Sequence, residues 1–197
     1  MTVPENVYGL VLTGGKSRRM GSDKASLVRD GETQLARAVR LLDSHVGQVF
    51  VSTSAAQADD SLRSDFSQIV DRYDDLGPVA GILSAMDQYP EVSWLVLACD
   101  LPQIDDSTIA FLLQNASATH PATAYTSVND NLPEPLCAVY RPASRPIIDE
   151  YVAAGINCPR KMLINSPTCL LTQPSPGALH NVNTPDDLAG TGIELAS

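Results

Sequence analysis

The sequence predicts an α/β fold with three layers, in which a mostly parallel β-sheet is covered by helices on both faces. Strand-like and helix-like segments alternate through the first half of the chain, which is the pattern typical of parallel sheets. Two of the strand-like segments, Val7–Leu12 and residues 94–99, are apolar throughout, as expected for strands that meet helices on both sides. The chain has 197 residues, 44% of them hydrophobic, which is enough to form the core of one domain.

Each element of the first half has a local signal. Residues 7–13 form the opening strand, and a glycine- and arginine-rich segment follows it. A helix is predicted over residues 34–43 because one stripe of its surface is apolar, namely Leu35, Ala38, Val39, Leu41 and Leu42. Pro78 suits the first turn of a second helix, and Asp105 can cap a third. The other predicted elements are strands at residues 48–52, 68–70 and 92–99 and helices at residues 78–88 and 106–115.

The second half of the chain is less regular. Strands are predicted, in chain order, at residues 122–127, 136–140 and 168–172, with a polar turn at residues 129–131. Residues 142–154 have a helical pattern, which requires Pro146 to lie in the first turn. The chain has 14 prolines, many of them in this half, and they indicate insertions around the sheet. We therefore expect a single domain over residues 1–197.

Charge and composition exclude several classes of partner. Thirteen Lys and Arg against 23 Asp and Glu give a net charge of −10. Such an acidic chain binds nucleic acid and anionic membranes poorly, so neither is expected as a partner. No apolar run approaches the roughly 20 residues that cross a bilayer, and the N-terminus lacks the pattern of a secretory signal. The four cysteines form no C-x-x-C pair, so we expect reduced thiols and a cytoplasmic location.

Four residues that lie far apart in the sequence are predicted to meet at one edge of the sheet. Gly14, Ser52, Asp71 and Asp100 each lie at the end of a predicted strand. The carboxyl ends of parallel strands share one edge, and ligands bind in the crevice along that edge. The sequence therefore predicts a binding crevice lined by these four positions.

The strongest motif is residues 12–24, L-T-G-G-K-S-R-R-M-G-S-D-K. Gly14 and Gly15 allow backbone N–H groups to approach a ligand closely. Basic side chains follow within a few residues, namely Lys16, Arg18, Arg19 and Lys24. Amides and cations that converge after a strand favour a polyphosphate, although an ordinary solvated basic loop is the alternative. A P-loop is excluded because Leu10 stands where that motif needs glycine.

Two carboxylates fit a nucleotide site. Asp100 directly follows the most apolar strand, and Mg²⁺ is commonly held by one or two carboxylates together with substrate phosphates. Asp100 is therefore the candidate ligand for a metal–triphosphate complex, with a turn or helix-cap aspartate as the alternative. Asp71 follows another strand and precedes Gly77 and Gly81, where two glycines around a helix start allow a ligand to approach closely. A plain turn explains this second group equally well.

Near the C-terminus, residues 181–188 read N-V-N-T-P-D-D-L. Asn181 and Asn183 point to the same face if this segment is extended. Thr184 can instead cap a helix that opens with Pro185, and this explanation is purely structural.

Together these motifs resemble the molybdenum cofactor guanylyltransferases of the MobA type, in the nucleotidyltransferase superfamily. The family signature is roughly L-A-G-G-x-S-x-R-M-G-x-D-K, and this chain departs from it in having Thr13 in place of alanine. The N-V-N-T-P sequence is also typical of the family, and residues 133–138 lie where the family has a short apolar strand near the acceptor. The resemblance implies a Rossmann-like nucleotidyltransferase fold, with a nucleotide-binding half at about 1–118 and an acceptor-binding half at about 119–197.

The resemblance also implies a reaction and a site. GMP would pass from GTP to the terminal phosphate of the molybdenum–molybdopterin cofactor, which gives the guanine dinucleotide cofactor and pyrophosphate. Mg²⁺ would bind to Asp100, and Asn181 and Asn183 would bind the acceptor. Cofactor-delivery proteins and apo-molybdoenzymes are the implied protein partners. The candidate nucleotide-binding residues are Leu12, Thr13, Gly14, Gly15, Lys24, Ser52, Asp71, Gly77, Gly81 and Asp100.

A chemical hypothesis follows from this reading. The attacking phosphate is already an anion, so the reaction needs no protein nucleophile and no strong base. Catalysis would consist of positioning and charge stabilisation, with Arg18, Arg19 and Lys24 stabilising the departing pyrophosphate. The alternatives are a cytidylyltransferase, a sugar-phosphate nucleotidyltransferase or a non-catalytic nucleotide-binding protein.

Overall fold

The computed structural model describes residues 6–13 and 23–181, together with the backbone of residues 193–194. The α-helices in this part of the chain are α1 (Gln34–Asp43), α2 (Pro78–Gln88), α3 (Asp106–Gln114), α4 (Arg145–Ala153) and α5 (Pro159–Ile164). The strands are β1 (Val7–Leu12), β2 (Val28–Arg29), β3 (Glu32–Thr33), β4 (Val49–Thr53), β5 (Gln68–Val70), β6 (Ser93–Ala98), β7 (Ala122–Thr126), β8 (Pro133–Tyr140), β9 (Thr168–Leu171) and β10 (Ile193–Glu194). Short 3₁₀-helices lie at Lys24–Ser26, Ala55–Gln57 and Pro142–Ser144.

Seven of the strands form the central sheet, in the order β5-β4-β1-β6-β8-β7-β9. The first four of these run parallel to one another. β8 runs antiparallel to both of its neighbours, and β9 runs parallel to β7. The mostly parallel sheet is therefore confirmed. Leu12 at the end of β1 lies opposite Ser52 of β4 and Ala98 of β6, so the segments that follow these three strands begin side by side.

Side chains of β6 alternate between two hydrophobic cores, one on each face of the sheet. Leu95 and Leu97 belong to the core formed with α1 and α3. Trp94 and Val96 belong to the core formed with α2, α4 and α5. All four side chains are fully buried, and burial of each stabilises the fold by about 1.5–3 kcal/mol. The period of two along β6 follows from strand geometry, and it confirms the prediction of helices on both faces.

A second, small sheet joins a hairpin of the N-terminal half to a short strand near the C-terminus. β2 and β3 form a hairpin whose turn residues, Asp30 and Gly31, have φ values of +53° and +81°, the left-handed conformation that a tight hairpin turn requires. β10 pairs antiparallel with β2. The backbone of residues 193–194 therefore lies beside the segment that follows the glycine- and arginine-rich motif.

Most predicted elements are present with boundaries close to those expected. α1, α2 and β5 begin and end as predicted, and Pro146 lies in the first turn of α4. The sequence patterns did not predict α5 or the small sheet. No helix among the described residues is both long and apolar enough to cross a bilayer.

The prediction for β8 was wrong at its start, because this strand begins at Pro133 and not at residue 136. Its last pair with β6 is Cys137 opposite Leu97, and the preceding residues of β8 pair only with β7. Proline is tolerated in a strand where its missing N–H faces no partner. The first residues of β8 thus run past the end of β6, toward Asp100.

The cap of α3 gives a test of the fold. Asp105 Oδ1 accepts a hydrogen bond of 2.8 Å from the backbone N–H of Thr108, so we expect Asp105→Ala to lower the free energy of unfolding by about 1 kcal/mol. Asp105→Asn keeps an acceptor oxygen and is the matched control, with an expected change within about 0.5 kcal/mol. Urea denaturation measures both. An alanine variant as stable as the asparagine variant would contradict the capping role.

Candidate active site

Lys24 and Asp100 form an ion pair where β1 and β6 end. The distance from Lys24 Nζ to Asp100 Oδ2 is 3.2 Å, and the side chains are only 17% and 19% exposed. Asp100 lies two residues after β6. Lys24 begins a 3₁₀-helix whose N-cap is Asp23, because Asp23 Oδ1 accepts a hydrogen bond from Ala25 N. The structure thus places the last basic residue of the loop motif against the candidate metal ligand.

The second oxygen of Asp100 is suited to a metal ion. Asp100 Oδ1 is buried and has no hydrogen-bond partner among the described residues, a situation that is rare in proteins and needs an explanation. Within the same part of the chain, no cluster of three or more His, Cys, Asp or Glu side chains can hold a metal. A single carboxylate oxygen therefore fits Mg²⁺ only where a ligand supplies the other oxygens, as nucleotide phosphates do.

A second group of predicted site residues lies at the same edge of the sheet, namely Ser52, Asp71 and Gly81. The Ser52 hydroxyl donates a hydrogen bond of 2.8 Å to Asp71 Oδ1. Burial raises the pKa of the Asp71 carboxyl, and the hydrogen bond from Ser52 offsets part of this effect. Ser52 is itself buried, so this hydrogen bond holds the Asp71 carboxylate from the protein interior.

Gly81 is a glycine because α2 packs very closely against β1 and β4. A Cβ at this position would lie 2.3 Å from Ser52 Oγ and 2.8 Å from Leu12 Cδ2. Gly77, which precedes α2, has a φ of +57°, a conformation that glycine adopts without strain. The sequence suggested that these glycines admit a ligand, and in the structure the atoms that approach Gly81 belong to the protein.

A cavity of about 230 Å³ lies against β8 and α5, and its lining includes Leu101, the residue after Asp100. Leu101, Arg160 and Asn181 are among its lining residues. Arg160 donates hydrogen bonds to Asp130 at 2.9 Å and to Glu134 at 2.8 Å. No sequence signal singled out Arg160, because the Arg160-Lys161 pair after Pro159 belongs to no recognised motif.

Two arginines hold the segment that follows Asp100. Arg29 of β2 donates a hydrogen bond of 3.3 Å to the Pro102 carbonyl, and Arg37 of α1 donates one to the Ile104 carbonyl. Burial lowers the pKa of Arg37, with its neighbours Arg29 and Arg40 adding to the effect. The position of Asp100 thus depends on the small sheet and on α1, as well as on β6.

The structure describes three further predicted site residues, namely Leu12, Thr13 and Asn181. Leu12 ends β1, and Thr13 follows it with a hydroxyl that donates to the Ser52 carbonyl oxygen at 2.8 Å. Asn181 is exposed at the rim of the cavity. Five predicted site residues lie outside the described residues, namely Gly14, Gly15, Arg18, Arg19 and Asn183.

Comparison with known proteins agrees with this architecture. The model of the MobA-like NTP transferase domain family matches residues 9–167. The chain belongs to this family. It is 36% identical over 181 residues to the molybdenum cofactor biosynthesis bifunctional protein of Synechocystis sp., a match that covers 92% of this chain and 52% of that protein. The chain therefore spans about half the length of this relative.

Shorter relatives match along most of their length. A probable molybdenum cofactor guanylyltransferase of Trichormus variabilis is 29% identical over 186 residues, with 93% of this chain and 89% of that protein covered. The crystal structure of molybdopterin-guanine dinucleotide biosynthesis protein A from Archaeoglobus fulgidus superposes with a TM-score of 0.76 at 22% identity, covering 94% of this chain and 96% of that one. At this level of identity, the superposition establishes the shared fold.

The close contact at Gly81 gives a test of the site's packing. We expect Gly81→Ala to force Ser52 or α2 to move, and therefore to lower the free energy of unfolding by about 1–3 kcal/mol. Gly47→Ala is the matched control, because a Cβ at Gly47 meets no atom within 4 Å. Chemical denaturation compares the two variants. Equal stability of both variants would contradict the packing described here.

Proposed function

We propose that this protein transfers GMP from GTP to the terminal phosphate of the molybdenum–molybdopterin cofactor, which gives the guanine dinucleotide cofactor and pyrophosphate. The observation that carries the proposal is the ion pair of Lys24 with Asp100, which lies where a parallel sheet places ligands and next to a cavity. A cation and a carboxylate in one cleft can bind the two partners of a metal–nucleotide complex. Membership of the MobA-like family and relatives named as molybdenum cofactor guanylyltransferases support this choice among nucleotidyl transfers.

The ion pair has a clear part in this function. A buried or half-buried charge without a partner is costly, and the ion pair gives Lys24 and Asp100 a partner of opposite charge before substrate binds. The nucleotide then offers each of them a new partner. Lys24 would bind phosphate oxygens, and the Asp100 carboxylate would hold Mg²⁺. When bound, Mg²⁺ supplies positive charge that offsets the charge of the triphosphate.

The transfer step requires that the acceptor phosphate face the α-phosphorus of GTP and that the negative charge of the phosphates be offset. An oxygen of the acceptor phosphate forms a bond to the α-phosphorus of GTP, and the bond from that phosphorus to the β-phosphate oxygen breaks. The electron pair leaves with pyrophosphate, and no proton has to move. Lys24 stabilises the charge on the leaving group, together with Arg18 and Arg19, which the sequence places in the same motif. Preorganised charges of this kind lower barriers because they need no rearrangement during the reaction.

The cavity beside Asp100 is the proposed acceptor site. Arg160 is the cation that lines it, and its guanidinium can exchange Asp130 or Glu134 for a phosphate, since arginine binds both groups in the same forked geometry. Asn181 at the rim offers an amide to the polar groups of the acceptor, and Asn183 would do the same from the adjoining segment. In this proposal the acceptor phosphate binds on one side of Asp100 and the nucleotide on the other.

Base choice, location and partners complete the proposal. We propose GTP over CTP because the relatives with high coverage of this chain carry the guanylyltransferase name. All four cysteines are free thiols, which supports a reducing compartment, the cytoplasm. Proteins that deliver the pterin cofactor and apo-enzymes that accept its dinucleotide form are the proposed partners.

The first test identifies the product. Purified protein incubated with the molybdenum–molybdopterin cofactor and Mg²⁺ should form the guanine dinucleotide cofactor from GTP, with release of pyrophosphate, and should form little product from CTP. Mass spectrometry of the product distinguishes the two bases. A cytosine product would establish the cytidylyltransferase alternative. Nucleotide binding with no product from either base would contradict the proposed reaction and leave the sugar-phosphate and non-catalytic alternatives.

Asp100 gives a sharper test of the metal proposal. We expect Asp100→Asn to lower kcat by more than about 100-fold, because the amide cannot replace a negatively charged metal ligand worth several kcal/mol. Asp43→Asn at the exposed end of α1 is the matched control and should keep wild-type turnover. Circular dichroism verifies that both variants fold. Near-normal turnover by Asp100→Asn would rule out this carboxylate as the metal ligand.

Lys24 tests the charge stabilisation separately. Lys24→Ala should lower kcat by roughly 100-fold, the effect of removing one preorganised donor. Lys161→Ala removes an exposed lysine of α5 and should leave kcat unchanged. Steady-state kinetics with GTP measure both variants. If the two lysine variants are equally active, Lys24 does not contact the leaving group.

A further inference from the structure

Arg63 is the one arginine among the described residues whose side chain is fully buried. It lies in the turn segment between β4 and β5. Its three nitrogen donors are all used: Nε donates to Thr13 Oγ1 at 3.0 Å, and the two terminal nitrogens donate to Asp23 Oδ2 and to Asp60 Oδ2, each at 2.5 Å. We call Arg63 and these three partners the arginine clamp.

Two of the partners lie near the two ends of the glycine- and arginine-rich motif, residues 12–24. Thr13 is the residue before Gly14, and Asp23 is the residue after Ser22. A single guanidinium therefore holds both ends of the segment between them. The planar fork of arginine can do this because its donors have fixed relative directions, whereas the ammonium of lysine is a single point charge.

Two members of the arginine clamp, Asp23 and Thr13, connect it to the candidate active site. Asp23 uses its other oxygen to cap the 3₁₀-helix that begins with Lys24, and Lys24 pairs with Asp100. Thr13 donates its hydroxyl hydrogen to the carbonyl oxygen of Ser52. The position of Lys24 thus depends on Asp23, which Arg63 fixes.

Stability alone is a poor explanation for such a residue. Removing a guanidinium from water costs several kcal/mol, and ion pairs at buried sites recover this cost only with very good geometry. A hydrophobic side chain could fill the same space without that cost. The arginine fixes one arrangement of three chain segments, which a hydrophobic side chain would not specify.

We propose that Arg63 is a positioning residue for nucleotidyl transfer, which sets the two ends of the phosphate-binding motif and, through Asp23, the position of Lys24. The inference rests on the proposed function for its kinetic readout. Thr13 is part of the device: the family signature has alanine here, and this chain has a hydroxyl that connects Arg63 to β4. Arg63 itself touches neither nucleotide nor acceptor.

The two aspartates of the arginine clamp provide a matched pair of variants. Asp23 and Asp60 have nearly the same exposure, 33% and 35%, and each uses Oδ2 for Arg63. Each also uses Oδ1 for a backbone N–H, of Ala25 in one case and of Leu62 in the other. Asp23→Asn and Asp60→Asn therefore remove one ion pair each and keep the backbone hydrogen bond. They differ in that only Asp23 leads to Lys24.

The experiment compares Asp23→Asn, Asp60→Asn and Arg63→Lys. We expect all three to lower the melting temperature, and the two asparagine variants to do so equally. Asp23→Asn and Arg63→Lys should lower kcat/KM for GTP roughly 10- to 100-fold, because a displacement of about 1 Å has effects of this size. The KM for the acceptor should stay unchanged, since the proposed acceptor site is on the other side of Asp100. Asp60→Asn should lower kcat/KM for GTP less than Asp23→Asn does, because Asp60 contacts Arg63 but does not cap the 3₁₀-helix of Lys24.

A purely structural role predicts a different result. Loss of folded protein would lower the apparent kcat in proportion to the fraction of folded enzyme and would leave the KM for GTP unchanged in all three variants. If Asp23→Asn and Asp60→Asn show the same kinetics, or if Arg63→Lys keeps wild-type kinetics, the inference is overturned.

A binding measurement separates this inference from the proposed function. Pyrophosphate is the product of transfer from any nucleoside triphosphate, so its affinity in the presence of Mg²⁺ does not depend on the base or the acceptor. Calorimetry should show weaker binding for Asp23→Asn than for Asp60→Asn, even if the guanine product is not formed. Equal affinities, or a wild-type protein that binds no pyrophosphate, would overturn the role of Arg63.

Discussion

Lys24 and Asp100 are 76 positions apart in the sequence, and their side chains meet at 3.2 Å. This contact requires β1 and β6 to be neighbours in the sheet, because each residue lies in the segment that follows one of these strands. It also requires the arginine clamp on one side and Arg29 and Arg37 on the other. Much of the architecture around the edge of the sheet thus serves to bring one cation and one carboxylate together in a place with little solvent.

Close packing and charge act together at this edge. The missing side chain of Gly81 lets α2 approach β4, where Ser52 donates a hydrogen bond to Asp71. Arg29, Arg37 and Arg63 hold the loops at this edge, and an acidic chain has few such cations to use. The net charge of −10 makes local placement of the basic residues decisive for binding an anionic nucleotide. The start of β8, which runs past β6, completes the cleft with the cavity lined by Arg160.

The sequence predicted the large elements well, and their physical signals explain why. α2 combines Pro78 in its first turn with a run of apolar residues, so its boundaries were clear. The hairpin of β2 and β3 was missed because strands of two residues show no periodicity, although Asp30-Gly31 is a typical hairpin turn. Lys24 and Asp100 were found because they follow strands within motifs. Arg63 was missed because burial of a charged side chain depends on partners that are distant in sequence, and no local pattern records it.

The proposed function depends on one exchange of partners. The Lys24–Asp100 ion pair separates, Lys24 binds a phosphate of the nucleotide, and Asp100 binds the metal ion. A crystal structure with Mg²⁺ and a non-hydrolysable GTP analogue tests this exchange most directly. We expect an Asp100 oxygen about 2.0–2.1 Å from Mg²⁺ and a hydrogen bond from Lys24 Nζ to a phosphate oxygen. A complex in which the metal binds elsewhere and the Lys24–Asp100 ion pair remains intact would contradict it.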